Sequence, residues 1–127
     1  MRYLFPNQTL YLHKEIISAS GGAHGLRDQG LLESAAYRPQ ASFGGQDLYP
    51  DLFIKTAALG YSLINNHPFL DANKRTGFEA MRLMLRLNGF DIHAELKDKF
   101  NFVLALAEKK LNEHGIAEWL KTHSRVY

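Results

Sequence analysis

The sequence predicts an all-α fold of about six helices in a single domain spanning residues 1–127, and three observations carry that reading. Apolar residues recur mostly at three- and four-residue intervals, the period of one helix face, while strand-like alternation is scarce. Gly or Pro marks the breaks between the periodic stretches. The composition, 46% hydrophobic and 22% charged, is that of a globular chain, long enough to bury roughly two-thirds of the surface its unfolded form exposes.

The first helix is expected from about Asn7 or Thr9 to Ser18, with Leu10, His13, Ile16 and Ile17 on one face and Gly21-Gly22 as the stop. On that apolar face His13 reads as a hydrogen-bonded core histidine. A second helix, capped by Asp28, covers Leu31, Leu32 and Ala35 and must end near Arg38, because Pro39 disfavours helical geometry in the residue before it. Residues 39–48 lack helical periodicity and contain Gly44-Gly45, which predicts an ordered loop or small hairpin. Pro50 suits the first turn of a third helix, whose residues Leu52, Phe53, Ala57, Leu59, Leu63 and Ile64 are too apolar for a surface position, so it is placed in the centre of the core. A fourth helix starts just after Asp71 and runs to about Leu87, where Asn88-Gly89 closes it. An extended segment at residues 90–94 follows, then helices near 95–110 and 115–123.

The chain has no cysteine, which excludes disulfides, a thiolate nucleophile and a sulfur-based zinc site. Its start meets Pro6 and polar residues before an apolar core of signal-peptide length accumulates, and no later stretch is long enough to span a bilayer, so a cytoplasmic protein with no membrane partner is expected. A net charge of +2, with Lys and Arg interspersed among Asp and Glu, gives no ground for direct nucleic-acid binding.

The junction between the third and fourth helices, His67-Pro68-Phe69-Leu70-Asp71-Ala72-Asn73-Lys74-Arg75-Thr76-Gly77, concentrates the chemistry. His67 precedes proline, so its backbone is expected to be extended, ending the third helix and letting the imidazole project from a turn. Asp71 or Ala72 opens the next helix, whose first N–H groups carry the positive end of the helix dipole and form an anion site. Asn73, Lys74 and Arg75 occupy the first turn, where each cation opposes the dipole by about 0.3–1 kcal/mol. Lys74 and Arg75 make sense there if a phosphate group lies among them.

A plain structural reading is also open: Asp71 as an N-cap, Arg75 as its i,i+4 partner, His67 as a polar group at a helix end and Phe69 as a core anchor. The functional reading makes His67 a general base, the helix start at Ala72, Asn73, Lys74 and Arg75 a phosphate cradle, and Asp71 a carboxylate that holds Mg²⁺ against phosphate oxygens. Together these describe the transfer of a phosphorus-containing group.

The run resembles the signature of the Fic/Doc family, His-Pro-Phe-x-x-Gly-Asn-Gly-Arg-x-x-Arg, in its Doc-like (death-on-curing) form. The similarity extends to Gly25-Leu26-Arg27-Asp28 with Leu31-Leu32-Glu33-Ser34-Ala35, to Arg38-Pro39-Gln40 and to Leu85-Arg86-Leu87-Asn88-Gly89-Phe90. This resemblance implies a compact helical Fic/Doc fold, with ATP and Mg²⁺ at the residues just named and a flap at residues 38–48 that grips an extended stretch of the target protein through main-chain hydrogen bonds. Family members that transfer AMP have glycine where this chain has Lys74 and a second arginine where it has Phe78. Those departures imply Doc-type chemistry, in which ATP lies reversed and the γ-phosphate is delivered to a Ser or Thr hydroxyl. The target that the resemblance implies is elongation factor Tu, whose modification stalls translation. Some members restrain themselves through a Ser/Thr-x-x-x-Glu-Gly/Asn segment, but none of the seven glutamates here precedes Gly or Asn, so restraint is expected from a separate antitoxin chain.

The competing readings are AMP transfer on the same scaffold and a non-catalytic member that only binds nucleotide or antitoxin. A third, an RNase of the HEPN kind, would use Arg86 and His93, but Gly89 breaks the helix between them. A metal-only hydrolytic site on His67 and Asp71 lacks a third ligand nearby.

Overall fold

Pro6, whose fixed φ suits a first helical turn, starts α1 (Pro6–Ser20) in the computed structural model, which describes residues 1–127. Gln8 reaches back to accept the N–H of Phe5, and Gly21, at φ 85°, closes the helix with its N–H on the Ile17 carbonyl. The helix is a turn longer than its periodicity suggested, and its buried stripe is narrower: Thr9, His13 and Ile17 are buried, whereas Leu10 is exposed.

The Asp28 carboxylate caps α2 (Gln29–Tyr37) by accepting the Leu31 N–H at 3.0 Å. A single 3-10 turn at Arg38–Gln40 then leads into a hairpin of β1 (Ser42–Phe43) and β2 (Gln46–Asp47). Gly44 and Gly45 form its turn at φ 60° and 79°, the paired left-handed geometry that tight hairpins need. The hairpin is exposed throughout and is tied to α3 (Leu52–Asn66) by a buried lysine. Lys55 Nζ donates to the Pro39 carbonyl at 3.1 Å and to the Asp47 carboxylate at 3.3 Å.

Pro50 stands outside α3, contrary to its expected place in the first turn. Asp51 is the N-cap instead, its carboxylate accepting the Ile54 N–H, and a side-chain acceptor at that position requires the extended backbone that Asp51 has. From Ile54 to Gly60 every residue of α3 is buried, and the helix packs against α2, α4 (Asn73–Leu87) and α6 (Glu113–Thr122), the central place its composition predicts. Gly60 and Gly77 let α3 and α4 approach closely. A Cβ on Gly60 would collide with Met81, and one on Gly77 would lie 2.6 Å from Ile64 Cγ1.

The extended segment after α4 is β3 (Phe90–Ile92), and its partner is a C-terminal strand that has no sequence signal, β4 (Ser124–Val126), paired antiparallel with Phe90 opposite Val126. Between them, α5 (Leu96–Ala107) and α6 cover the far side of the core. In α5 the buried residues are Phe102 and Leu106, with Phe102 stacked on Trp119 at 3.9 Å, while Phe100 and Leu104 face outward. No helix is long and apolar enough to cross a membrane.

Candidate active site

The junction leaves α3 at a left-handed residue. His67 has φ 51° and ψ 57°, where the following proline led us to expect extended geometry. The helix does end there, and the imidazole is exposed with no side-chain hydrogen bond, but the turn is tighter than the sequence suggested. Pro68 and Phe69 then run inward. The carbonyl of Pro68 accepts the N–H groups of Arg27 and Asp28, Leu70 N–H donates to Gly25 O, and Leu26 bridges Phe69 as a one-residue strand pair. Phe69 is almost wholly buried, with its ring stacked parallel on His13 at 3.9 Å. His13 Nε2 in turn bonds the Asp71 carbonyl at 2.9 Å, so the core histidine on α1 holds the loop at two points.

Burial, partly offset by the bond to the Asp71 carbonyl, pushes the His13 imidazole below its ordinary pKa. The native state thus favours the neutral ring, and the unfolded chain takes up the proton more readily. Stability is therefore expected to fall as pH drops below the unfolded value of about 6.5. Thermal unfolding of the parent and of His13→Gln between about pH 7.5 and pH 5 checks this. The parent should lose more than the variant, and equal slopes would remove His13 as the cause.

Neither half of the plain structural reading of Asp71 and Arg75 describes the structure. The N-cap of α4 is Ala72, left-handed at φ 63° and without a side-chain cap, while Asp71 accepts the Ala23 N–H at 3.1 Å and the Ala72 N–H at 2.8 Å, one on each oxygen. Those two bonds, with Arg75 nearby, hold its carboxyl below the usual carboxylate range. Arg75 is not its salt-bridge partner. The guanidinium bonds the end of α1, donating from Nη1 to Ser20 Oγ at 2.7 Å and to Gly21 O at 3.0 Å. Gly22 is obligatory beside both: at φ 120°, any Cβ there would sit 2.6 Å from Asp71 Oδ2.

The first intrahelical bond of α4 is Thr76 N–H to Ala72 O, which leaves the N–H groups of Asn73, Lys74 and Arg75 without a carbonyl acceptor. An alanine N-cap satisfies none of them, and left-handed geometry costs a non-glycine residue about 1–2 kcal/mol. Where the general family pattern has glycine, this chain therefore keeps the glycine conformation with Ala72. Lys74 is exposed and outside every salt bridge of the chain. The Asn73 side chain is buried, with its amide oxygen accepting Phe69 N–H and its nitrogen donating to Phe69 O, both at 3.0 Å. Its backbone N–H faces the helix start with no carbonyl acceptor. Phe78 packs edge-on against Phe102 and lines, with Leu12, Ile16, Ala19 and Val103, an apolar hollow of about 380 Å³ that reaches Arg75.

The donor set suits Mg²⁺ of the kind that arrives with a nucleotide. One ionised, oriented carboxylate, completed by phosphate oxygens and water, is a common arrangement for that ion. No three His, Cys, Asp or Glu side chains converge into a self-sufficient metal site, which argues against the metal-only reading. Ser20, Gly22 and the loop-holding role of His13 lie outside the motif. The second glycine after α1, beyond the one needed for the cap, was the available signal that another backbone passes close by.

A sequence profile described as "Fic/DOC family" matches residues 3–85. The chain is 41% identical over 110 residues to "Toxin Doc" of Mycolicibacterium smegmatis, covering 83% of this chain and 80% of the relative. It is 36% identical over 123 residues to "Protein kinase doc" of Escherichia phage P1, covering 95% and 94%.

Proposed function

The chain belongs to the Fic/Doc family, as a Doc-like member, and we propose that it is the toxin of a toxin–antitoxin pair, a cytoplasmic enzyme that transfers the γ-phosphoryl group of ATP to a Ser or Thr hydroxyl of elongation factor Tu and so arrests translation. The observation that carries this reading is the uncapped, left-handed start of α4, which presents three unpaired N–H groups beside an oriented carboxylate and an arginine. An anion of phosphate type satisfies the N–H groups and the arginine, and a cation held by the carboxylate would offset its charge.

In this reading the imidazole of His67 takes the proton of the target hydroxyl. The oxygen attacks the γ-phosphorus, the bond to the β,γ-bridging oxygen breaks, and ADP leaves. The N–H groups of Asn73, Lys74 and Arg75, with the Lys74 and Arg75 side chains, bind phosphate oxygens whose charge changes as the group moves. Asp71 would hold Mg²⁺, which would supply positive charge against the phosphate groups. The hairpin β1–β2 offers main-chain groups to an extended stretch of the target. Silencing falls to an antitoxin in trans.

Two side chains favour γ- over α-phosphate delivery. Lys74 would occupy space that a glycine leaves open for an α-phosphate, and it adds a cation. Phe78 turns the place of the family's second arginine into apolar wall. The name of one relative, a protein kinase, supports the same direction. The purified chain is to be incubated with Mg²⁺, elongation factor Tu and ATP labelled at the γ- or the α-phosphate. Label should enter the target from the γ-position alone, whereas incorporation only from the α-position would establish AMP transfer, and nucleotide binding without transfer would establish a binding module.

A further inference from the structure

We propose that Arg27 is a positioning residue for His67, holding the imidazole-bearing turn in its left-handed conformation from outside the motif. The inference rests on the reading of His67 as the general base. Arg27 Nε donates to the His67 carbonyl at 2.6 Å and Nη2 donates to the Asn66 carbonyl at 2.8 Å.

Why the turn needs this follows from how helices end. A left-handed residue after the last turn is ordinarily a glycine, and the residue after it donates its N–H back to a carbonyl of the final turn. Here the left-handed residue is a histidine, which carries a Cβ penalty, and the next residue is Pro68, which has no N–H to donate. The helix also ends with its unpaired carbonyls and the negative pole of its dipole in one place. A guanidinium fork is the one side chain that can supply two parallel donors and a positive charge there. The fork is aimed before it binds, because Arg27 N–H is fixed on Pro68 O at 2.7 Å, opposite the turn it clamps. Arg27 joins no salt bridge, so these carbonyls are its partners. Without it, His67 is free to relax toward the extended geometry that a pre-proline residue prefers, which redirects the imidazole.

The test compares the parent with Arg27→Met and Arg27→Lys, using γ-labelled ATP, Mg²⁺ and elongation factor Tu, and follows the His67 ring resonances by NMR, assigned with His67→Gln. Because Arg27 is exposed, Arg27→Met should melt close to the parent. We expect its kcat to fall about 10- to 100-fold, the scale of a misplaced catalytic group, with KM for ATP within about twofold. Arg27→Lys, with one point-like donor in place of a fork, should recover part of the loss. The His67 ring signals should shift or broaden in Arg27→Met. A folded Arg27→Met with unchanged kcat and unchanged ring signals overturns the proposal, as does a loss that merely tracks the unfolded fraction in both variants. If the parent itself transfers nothing, the functional reading has failed, and the ring signals still decide whether Arg27 sets the His67 conformation.

Discussion

His67→Ala is expected to lower phosphoryl transfer about 10²- to 10⁴-fold, the contribution of a positioned general base, while leaving the fold intact. Both parts of that expectation come from its surroundings. The imidazole is exposed and bonds no other group of the chain, so its removal creates neither a cavity nor an orphaned partner. The backbone features that hold the turn, Pro68 and the carbonyls at residues 66 and 67, survive the substitution. Initial rates with γ-labelled ATP and elongation factor Tu measure the catalytic loss, and a thermal melt measures the fold. In cells that lack the antitoxin, expression of the parent should slow growth and His67→Ala should relieve it. Equal toxicity and equal transfer by the variant would mean that some other group accepts the hydroxyl proton.

Phe69→Ala should cost about 3–5 kcal/mol of stability, a large part of the 5–15 kcal/mol typical of a domain. Phe69 is among the most deeply buried large side chains, grouped with Leu4, Leu63 and Met84 in one of the two main core clusters and stacked on His13. Truncation removes the transfer free energy of the ring and leaves a cavity that neighbouring helices cannot close, because α3 and α4 already touch at Gly60 and Gly77. Its backbone is clamped from both sides by the Asn73 amide, so slackening there reaches the start of α4 directly. Urea unfolding with the slope held as a check on two-state behaviour gives the number. A loss below about 1 kcal/mol would show that the loop can be rebuilt without its aromatic anchor.

These two residues, two apart, illustrate which features could be read in the chain. Phe69 was legible as a core anchor because an aromatic residue flanked by a proline and a helix start has few other uses. The helices were legible for a related reason: periodicity records which side of a helix meets the core, so α2, α3 and α4 fall close to their expected bounds. The loop or small hairpin at residues 39–48 was legible through its glycine pair, and the candidate site through its density of imidazole, carboxylate and cations. The start of α3 went wrong at Pro50, where a general preference for proline in a first turn gave way to the specific acceptor at Asp51. Strand β4 went unseen because three residues at the end of a chain carry no period, and only the edge of β3 makes them a strand.

By itself, the sequence determined the inventory: which helices exist, which faces are apolar, and that one short run holds a base, a carboxylate and phosphate-seeking cations. Tertiary structure decided how those groups are presented. It turned Asn73 inward to brace Phe69, tied Arg75 to the end of α1 instead of to Asp71, and set His67 and Ala72 in left-handed conformations that local preference opposes. The physical reason is that such choices are decided by partners distant in the chain. Ser20, Gly22, Ala23 and Arg27 act on the motif from about forty to fifty-five residues away, through a few hydrogen bonds and one close backbone approach. Neither kind of contact leaves a periodic trace in the residues it constrains.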